Sequence, residues 1–291
     1  MLNKLALPSW LLYVLISQCF FTLGGAFIRH AGGEIPPLQI LFLNYLFGLF
    51  FLLLSRGKQS RRLKLGQPKI YISRSVIDLA AGITIFYGVT LLPLANAVAI
   101  SFISPILMLL LAVYFFKEKM TIAKASACLL SVIGVLIILR PSYMPLTIGV
   151  IAMLCYSVFN AGSWLFVKKL LDTDSPGDVL YNHYIITLPM IAMLTIPVWT
   201  SPSLAVTVIC MLIALCYVLG HWFNNRSLES GDIGSVSIGL FTGLIFSTAW
   251  GYLFFFELPD LLTVVGAVII LLGIQVSTEI SKKSTSTINY E

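Results

Sequence analysis

Arg56-Gly57-Lys58-Gln59-Ser60-Arg61-Arg62-Leu63-Lys64-Leu65-Gly66-Gln67-Pro68-Lys69 is the only long polar connector in a chain of 291 residues. Apolar runs of spanning length lie on both sides of it, and the same alternation of apolar run and short connector continues along the chain. A helix needs about 20 apolar residues to cross a bilayer. The reading outward from this block gives ten spans, at 9–29, 36–55, 70–91, 95–116, 121–139, 146–167, 178–199, 203–225, 232–256 and 259–279. Breakers mark the joints: Gly32-Gly33, Pro36-Pro37, Pro93, Pro141, Pro145, Asp174-Ser175-Pro176-Gly177, Pro202, Gly231 and Pro259.

Charge orients the spans. Alternation puts Lys4, the block at 56–69, Lys117, Lys119, Lys168, Lys169, Arg226, Lys282 and Lys283 on one side, against Arg29 and Arg140 on the other. Cations are retained on the cytoplasmic side, so both termini are expected in the cytoplasm of a bacterial inner membrane. The composition agrees: 58% of residues are hydrophobic and 10% charged, where a soluble domain has about 25% charged. The net charge of +6 is placed beside the spans, where orientation and anionic headgroups account for it without nucleic acid. Cys19, Cys128, Cys155, Cys210 and Cys216 lie scattered in apolar runs, with no CxxC and no flanking His. They read as buried small hydrophobes, neither a disulfide framework nor a metal site. The run Trp10–Ile28 follows one Lys and lacks a small-residue cleavage site, so it reads as a retained span. The Ser/Thr/Lys-rich tail at 281–291 is expected to be disordered.

The chain also aligns with itself at a shift of 139 positions, which sets Phe115-Phe116-Lys117-Glu118 on Phe254-Phe255-Phe256-Glu257. The same shift sets Gly134 on Gly273 and Asn44-Tyr45 on His183-Tyr184. Each copy holds five spans, an odd number, so the second enters the membrane from the opposite side. The expectation is an all-α membrane protein of ten transmembrane helices in two inverted five-helix repeats, 1–141 and 142–280. That construction suits alternating access around a site near the midplane.

Tyr87-Gly88-Val89-Thr90-Leu91-Leu92-Pro93-Leu94-Ala95-Asn96-Ala97, then Ser101-Phe102-Ile103-Ser104-Pro105 and Phe116-Lys117-Glu118, resembles the drug/metabolite transporter superfamily, EamA branch. Phe255-Phe256-Glu257, Gly266-Ala267 and Gly273 resemble its second half. Pro259-Asp260 and Gly266-Ala267-Val268-Ile269-Ile270 are also similar to the S-adenosylmethionine carriers of intracellular bacteria. The resemblance implies a carrier with spans 5 and 10 at the periphery. Many relatives carry an Arg in the second span where this chain has Asn44, so the resemblance lends no anion anchor there.

Polar groups in a bilayer are costly unless they face protein or a water-filled cavity, which makes them site candidates. Tyr156, Asn160 and Ser163 fall on one face of the sixth span with Trp164 adjoining; Gln18 and Thr22 are one turn apart on the first. Tyr217, His221 and Asn224 share a face of the eighth, and Thr84 and Tyr87 one of the third. Ser101 and Ser104 on the fourth, and Thr242, Ser247 and Trp250 on the ninth, complete the set. The substrate-binding candidates are therefore Gln18, Tyr87, Ser101, Tyr156, Asn160, Trp164, Tyr217, His221, Asn224 and Trp250, on spans 1, 3, 4, 6, 8 and 9. Amides and aromatic faces suit a small polar or cationic metabolite; hydroxyls bonded to their own helix are the bland alternative. His221 reads equally as a proton-coupling group or an imidazole bonding across helices.

Asp78 is the one carboxylate well inside a span, with Arg74 one turn earlier. Two readings stand: an intrahelical ion pair, or a carboxylate that exchanges a cation or proton during transport. Glu118 and Glu257 close helix ends, and Pro105 bends a span. No phosphate loop, HExxH, GxSxG or paired carboxylates are present. The sequence thus reads as a non-enzymatic secondary transporter of a small polar metabolite such as S-adenosylmethionine or an amino acid. It needs no cofactor or metal, and membrane lipid is its surrounding partner; nothing indicates an ATPase subunit. An exporter of cationic drugs or amino acids is the alternative within transport. An intramembrane lipid-modifying enzyme with Asp78 as its acid or base is the alternative from another class, and a non-transporting scaffold has no use for facing polar groups.

Overall fold

The computed structural model describes residues 8–55, 66–92, 97, 100–139, 146–256, 261–262, 264–273 and 275. Among them there is no strand. The helices are α1 (Ser9–Ala31), α2 (Pro37–Ser55), α3 (Pro68–Leu91), α4 (Ile103–Phe116), α5 (Ile122–Leu139), α6 (Ile148–Leu170), α7 (Pro176–Thr195, with a 3₁₀ turn Ile196–Val198), α8 (Leu204–Ser230), α9 (Ile233–Leu240) and α10 (Gly243–Phe255). A shorter apolar helix, α11, covers Val264–Gly273. Among the described residues, seven helical segments are long and apolar enough to cross a membrane, α9 and α10 counting together as one. Large apolar side chains such as Leu54, Tyr114, Ile122, Leu204 and Phe256 stand exposed on the outer surface, as expected where lipid is the solvent.

The expected joints start the helices. Thr147, Ser175, Ser203 and Asp232 each accept the backbone N–H three residues on, satisfying donors that the first turn leaves free. Two ends of α4 and α10 are unusual. Lys117 and Phe256 follow them with φ 53° and 56°, a left-handed conformation that L side chains rarely adopt. These two positions are 139 apart, as are the starts of α1 and α6, of α2 and α7, and the ends of α4 and α10.

Two expectations are corrected. The span at 232–256 is not one helix. Phe241, Thr242 and Leu244 donate to carbonyls three residues back, at 3.3, 3.1 and 3.2 Å, which tightens the chain into 3₁₀ turns and separates α9 from α10. Gly239 against Val14, and Gly243 against Gln18, let α1 approach both sides of this break. Nor does Pro105 bend the middle of a helix: it sits in the first turn of α4, where a missing N–H costs nothing. The expected span at 95–116 is described as a helix only from Ile103, with 97 and 100–101 also helical. Arg140, Glu257, residues 56–65 and the tail at 281–291 lie outside the described residues.

α1 packs along α8 and α3 along α6, with α4 on α6 and α10 on α1 completing the walls. α5 and α11 meet backbone to backbone. A Cβ on Gly134 would lie 2.6 Å from the Gly266 carbonyl, and one on Gly273 would lie 2.9 Å from that of Ala127.

Candidate functional site

The helices enclose a cavity of about 200 Å³. Gln18, Phe21 and Thr22 of α1, Asp78 and Phe86 of α3, Tyr156, Asn160 and Trp164 of α6, and Tyr217 and His221 of α8 form most of its wall. Ser101, Ser104 and Pro105 close one side, and Gly243 and Ser247 of α10 another. The break at Phe241 therefore lies beside the cavity, and Phe241 stacks on Phe102 with ring centroids 5.4 Å apart. Neither α5 nor α11 contributes a described lining residue.

Of the residues expected from the sequence, Gln18, Ser101, Tyr156, Asn160, Trp164, Tyr217, His221 and Asp78 face this cavity. Tyr87, Asn224 and Trp250 are not among its lining residues. Trp250 Nε1 donates to the Cys19 carbonyl at 3.3 Å, tying α10 to α1. Asn224 is fully buried with neither amide atom partnered. α2 and α7 were not expected at the wall, yet they supply Leu41, Asn44, Tyr45 and Tyr184.

Most of the candidate hydroxyls are satisfied locally. Thr22 and Thr84 bond carbonyls of their own helices, as does Ser247. Asn160 is committed to protein at both ends: Nδ2 donates to Ser104 Oγ at 2.8 Å, and Oδ1 accepts Trp164 Nε1 at 3.1 Å. The amide thus fixes the indole against the cavity, and the Trp164 ring lies tilted against His221 with centroids 5.5 Å apart. Among the fully buried polar atoms of the described lining residues, Asn44 Oδ1, the Tyr184 hydroxyl and His221 Nδ1 have no protein partner.

Asp78 is the one charged side chain among the described lining residues. The intrahelical ion pair with Arg74 does not form. Asp78 Oδ2 instead lies 2.9 Å from His183 Nε2 of α7 and accepts the Tyr45 hydroxyl at 3.2 Å. Its Oδ1 accepts Ser163 Oγ at 2.6 Å. Arg74, fully buried, turns to α7 and donates Nη1 to the Val179 carbonyl at 2.9 Å. Its Nε and Nη2 have no partner. Tertiary neighbours outcompete the i, i+4 pairing that sequence spacing offers. His183 had entered the sequence reading only as the repeat counterpart of Asn44. Among the described residues no cluster of His, Cys, Asp or Glu is placed to hold a metal.

A second polar cluster lies at one end of the molecule. Glu118 accepts the N–H groups of Ile233 and Gly234 at 2.9 and 3.1 Å, closing the start of α9. Lys124 bridges Glu118 and Asp232. Asp232 in turn accepts Ser235 N at 2.9 Å and Ser235 Oγ at 2.7 Å. Burial pushes the Asp232 carboxyl up, but its bonds to Lys124 and Ser235 outweigh this and hold it below its ordinary range. Lys168 donates to the Leu228 and Gly231 carbonyls, joining α6 to the end of α8.

The sequence profile of the EamA-like transporter family matches the chain twice, at 8–140 and 147–278. The chain is 26% identical over 274 residues to the pseudopaline exporter of Pseudomonas aeruginosa, covering 92% of this chain and 95% of the relative. It is 25% identical over 292 residues to the S-adenosylmethionine uptake transporter of Rickettsia prowazekii, covering 96% and 94%. A solved crystal structure superposes with a TM-score of 0.78 at 16% identity, covering 94% of this chain and 98% of that one. That likeness shows the fold.

Proposed function

The chain belongs to the EamA-like transporter family, and from that premise we propose that it moves a cation-bearing polar metabolite by alternating access. That it is a multi-pass membrane transporter of small metabolites follows from the family and its relatives. The finer reading rests on one observation: among the described lining residues Asp78 is the single charge, on a wall with Trp164, Tyr156, Tyr184, Tyr217 and Phe86. Aromatic faces attract organic cations, more strongly where water is excluded, and a carboxylate supplies the counter-charge. S-adenosylmethionine or an amino acid fits this chemistry through its sulfonium or ammonium.

In this reading the chain is two inverted five-span repeats, 1–141 and 142–280, in a bacterial inner membrane with both termini cytoplasmic. The equal spacing of helix bounds and of Lys117 and Phe256 supports the repeat, as does the double family match. Gln18, Ser101, Tyr156, Asn160, Trp164, Tyr217 and His221 contact substrate. Tyr87, Asn224 and Trp250 do not line the cavity, and Trp250 ties α10 to α1.

Purified protein in liposomes tests this with labelled S-adenosylmethionine, amino acids and nucleosides. Cationic members should exchange across the membrane, and Asp78→Asn and Trp164→Ala should each weaken exchange. A lost bond to a charged group is worth about 1.5–3 kcal/mol, or roughly tenfold to a hundredfold in affinity. Exchange of neutral or anionic solutes alone would refute the reading.

A further inference from the structure

We propose that His183 and Asp78 form a proton site that exchanges one proton for one substrate cation. The inference rests on the transport reading above and adds the coupling.

The geometry gives each member a distinct job. Asp78 reaches the cavity, while His183, fully buried, stands behind it and is not part of the wall. Both carboxylate oxygens already accept donors, from Ser163 on one side and Tyr45 and His183 on the other. Such a carboxylate is set up to be an acceptor only. The imidazole is held differently. Its Nε2 faces Asp78 at 2.9 Å, and its Nδ1 faces two hydroxyls, Thr187 Oγ1 at 3.1 Å and Ser75 Oγ at 3.2 Å. A hydroxyl both donates and accepts. Nδ1 is therefore satisfied whether it is bare and accepting or protonated and donating.

Charge balance ties that proton to the cavity. Arg74, one turn before Asp78 and fully buried, is a permanent cation. Arg74 and Asp78 together are neutral. The other ionisable groups facing the pair are Tyr45 from α2, Tyr71 from α3, Tyr156 from α6, Tyr184 from α7 and His221 from α8, none of them anionic; Tyr71 in turn donates to Asp174 at 2.7 Å. A proton on His183 leaves this buried group at plus one, and so does a substrate cation against Asp78. Both at once leave it at plus two in a low dielectric, which is strongly opposed. The cation and the proton are thus alternative occupants. When the cation arrives against Asp78, Nδ1 gives its proton up to the Ser75 and Thr187 hydroxyls and on to solvent in the open state; when the cation leaves, the proton returns.

Infrared pH-difference spectra and liposome transport test this together. Spectra of wild type carrying ring-labelled histidine, recorded between about pH 5 and pH 9, should contain an imidazole protonation band that is lost in His183→Gln. In liposomes an imposed pH gradient should accumulate the cation that wild type exchanges, by about tenfold per pH unit for one-for-one exchange. The ratio of pH-driven accumulation to solute–solute exchange should fall at least tenfold in His183→Gln. Wild-type accumulation in His183→Gln, or no His183 band in the wild-type spectra, overturns the proposal. The two readings fail separately: if no labelled solute exchanges, the transport reading is lost, while the infrared band still decides whether the proton site exists.

Discussion

Replacing Glu118 with Gln tests how firmly α4 holds the start of α9. In the native arrangement one carboxylate oxygen accepts Ile233 N–H at 2.9 Å and the other accepts Gly234 N–H at 3.1 Å. Gln keeps one acceptor and turns the other into an NH₂; with its oxygen kept beside the Lys124 ammonium and the Gly234 N–H, the NH₂ faces the Ile233 N–H and cannot receive it. The amide of buried Ile233 is then left without its partner. Losing one charge-assisted bond costs about 1.5–3 kcal/mol, and losing the negative charge at a helix N-terminus about 0.3–1 kcal/mol more. Lys124 keeps Asp232 as its partner, so little is assigned to that ion pair. The sum, about 2–4 kcal/mol, corresponds to roughly thirtyfold to a thousandfold in the opening equilibrium of this contact. Hydrogen exchange followed by mass spectrometry reads it directly, as faster exchange in peptides spanning 231–240 with those of α7 unchanged. Exchange in that segment within about threefold of wild type would show that Glu118 does not hold α9 closed.

Reporter tags at Tyr290 and within 56–65 should both read as cytoplasmic; an outward position for either refutes the orientation, and opposite positions refute an even span number. Gly134→Leu should destabilise the protein by about 1–3 kcal/mol or more through overpacking against Gly266 and Ile270. Gly33→Ala, which meets nothing within 4 Å, should stay within about 0.5 kcal/mol of wild type, and equal thermal stability of the two variants would contradict the α5–α11 contact. Asp232 is held below its ordinary range when folded, so its contribution is complete above the unfolded value of about 3.9 and is lost as pH falls below it. Asp232→Asn should therefore lower stability at neutral pH and flatten its loss on acidification, whereas a parallel acid limb in the variant would refute the linkage.

The spans were legible because lipid-facing helices need no amphipathic pattern: an apolar run with a Pro, a Gly or Asp174-Ser175-Pro176-Gly177 at its end is sufficient. The self-match of Phe116-Lys117-Glu118 with Phe255-Phe256-Glu257 was legible in the sequence, and the left-handed turns at Lys117 and Phe256 give that match a physical content. The break between α9 and α10 left no local mark, since no Pro stands there. It arises where Gly239 and Gly243 meet α1, and a contact between remote segments has no signature in either one.

The site divides along the same line. Gln18, Tyr156, Asn160, Trp164, Tyr217 and His221 line the cavity, as a polar face on an apolar helix must turn toward protein or a cavity. Tyr87, Asn224 and Trp250 carry the same signal, and the rule cannot say whether such a face meets a cavity or a neighbouring helix. Trp250 meets the Cys19 carbonyl. Of the two readings of Asp78, spacing favoured the one the fold does not keep, because Arg74 at i−4 is the partner that an isolated helix would offer. In the folded chain α7 brings a carbonyl to Arg74 and an imidazole to Asp78, and each takes the closer fit. The pairing of Asn44-Tyr45 with His183-Tyr184 under the repeat was the available clue to that second layer. Tyr45 of α2 and His183 of α7, each lying beside the counterpart of the other under the shift of 139, converge on one carboxylate, so side chains from α2 and α7 meet chemically at Asp78.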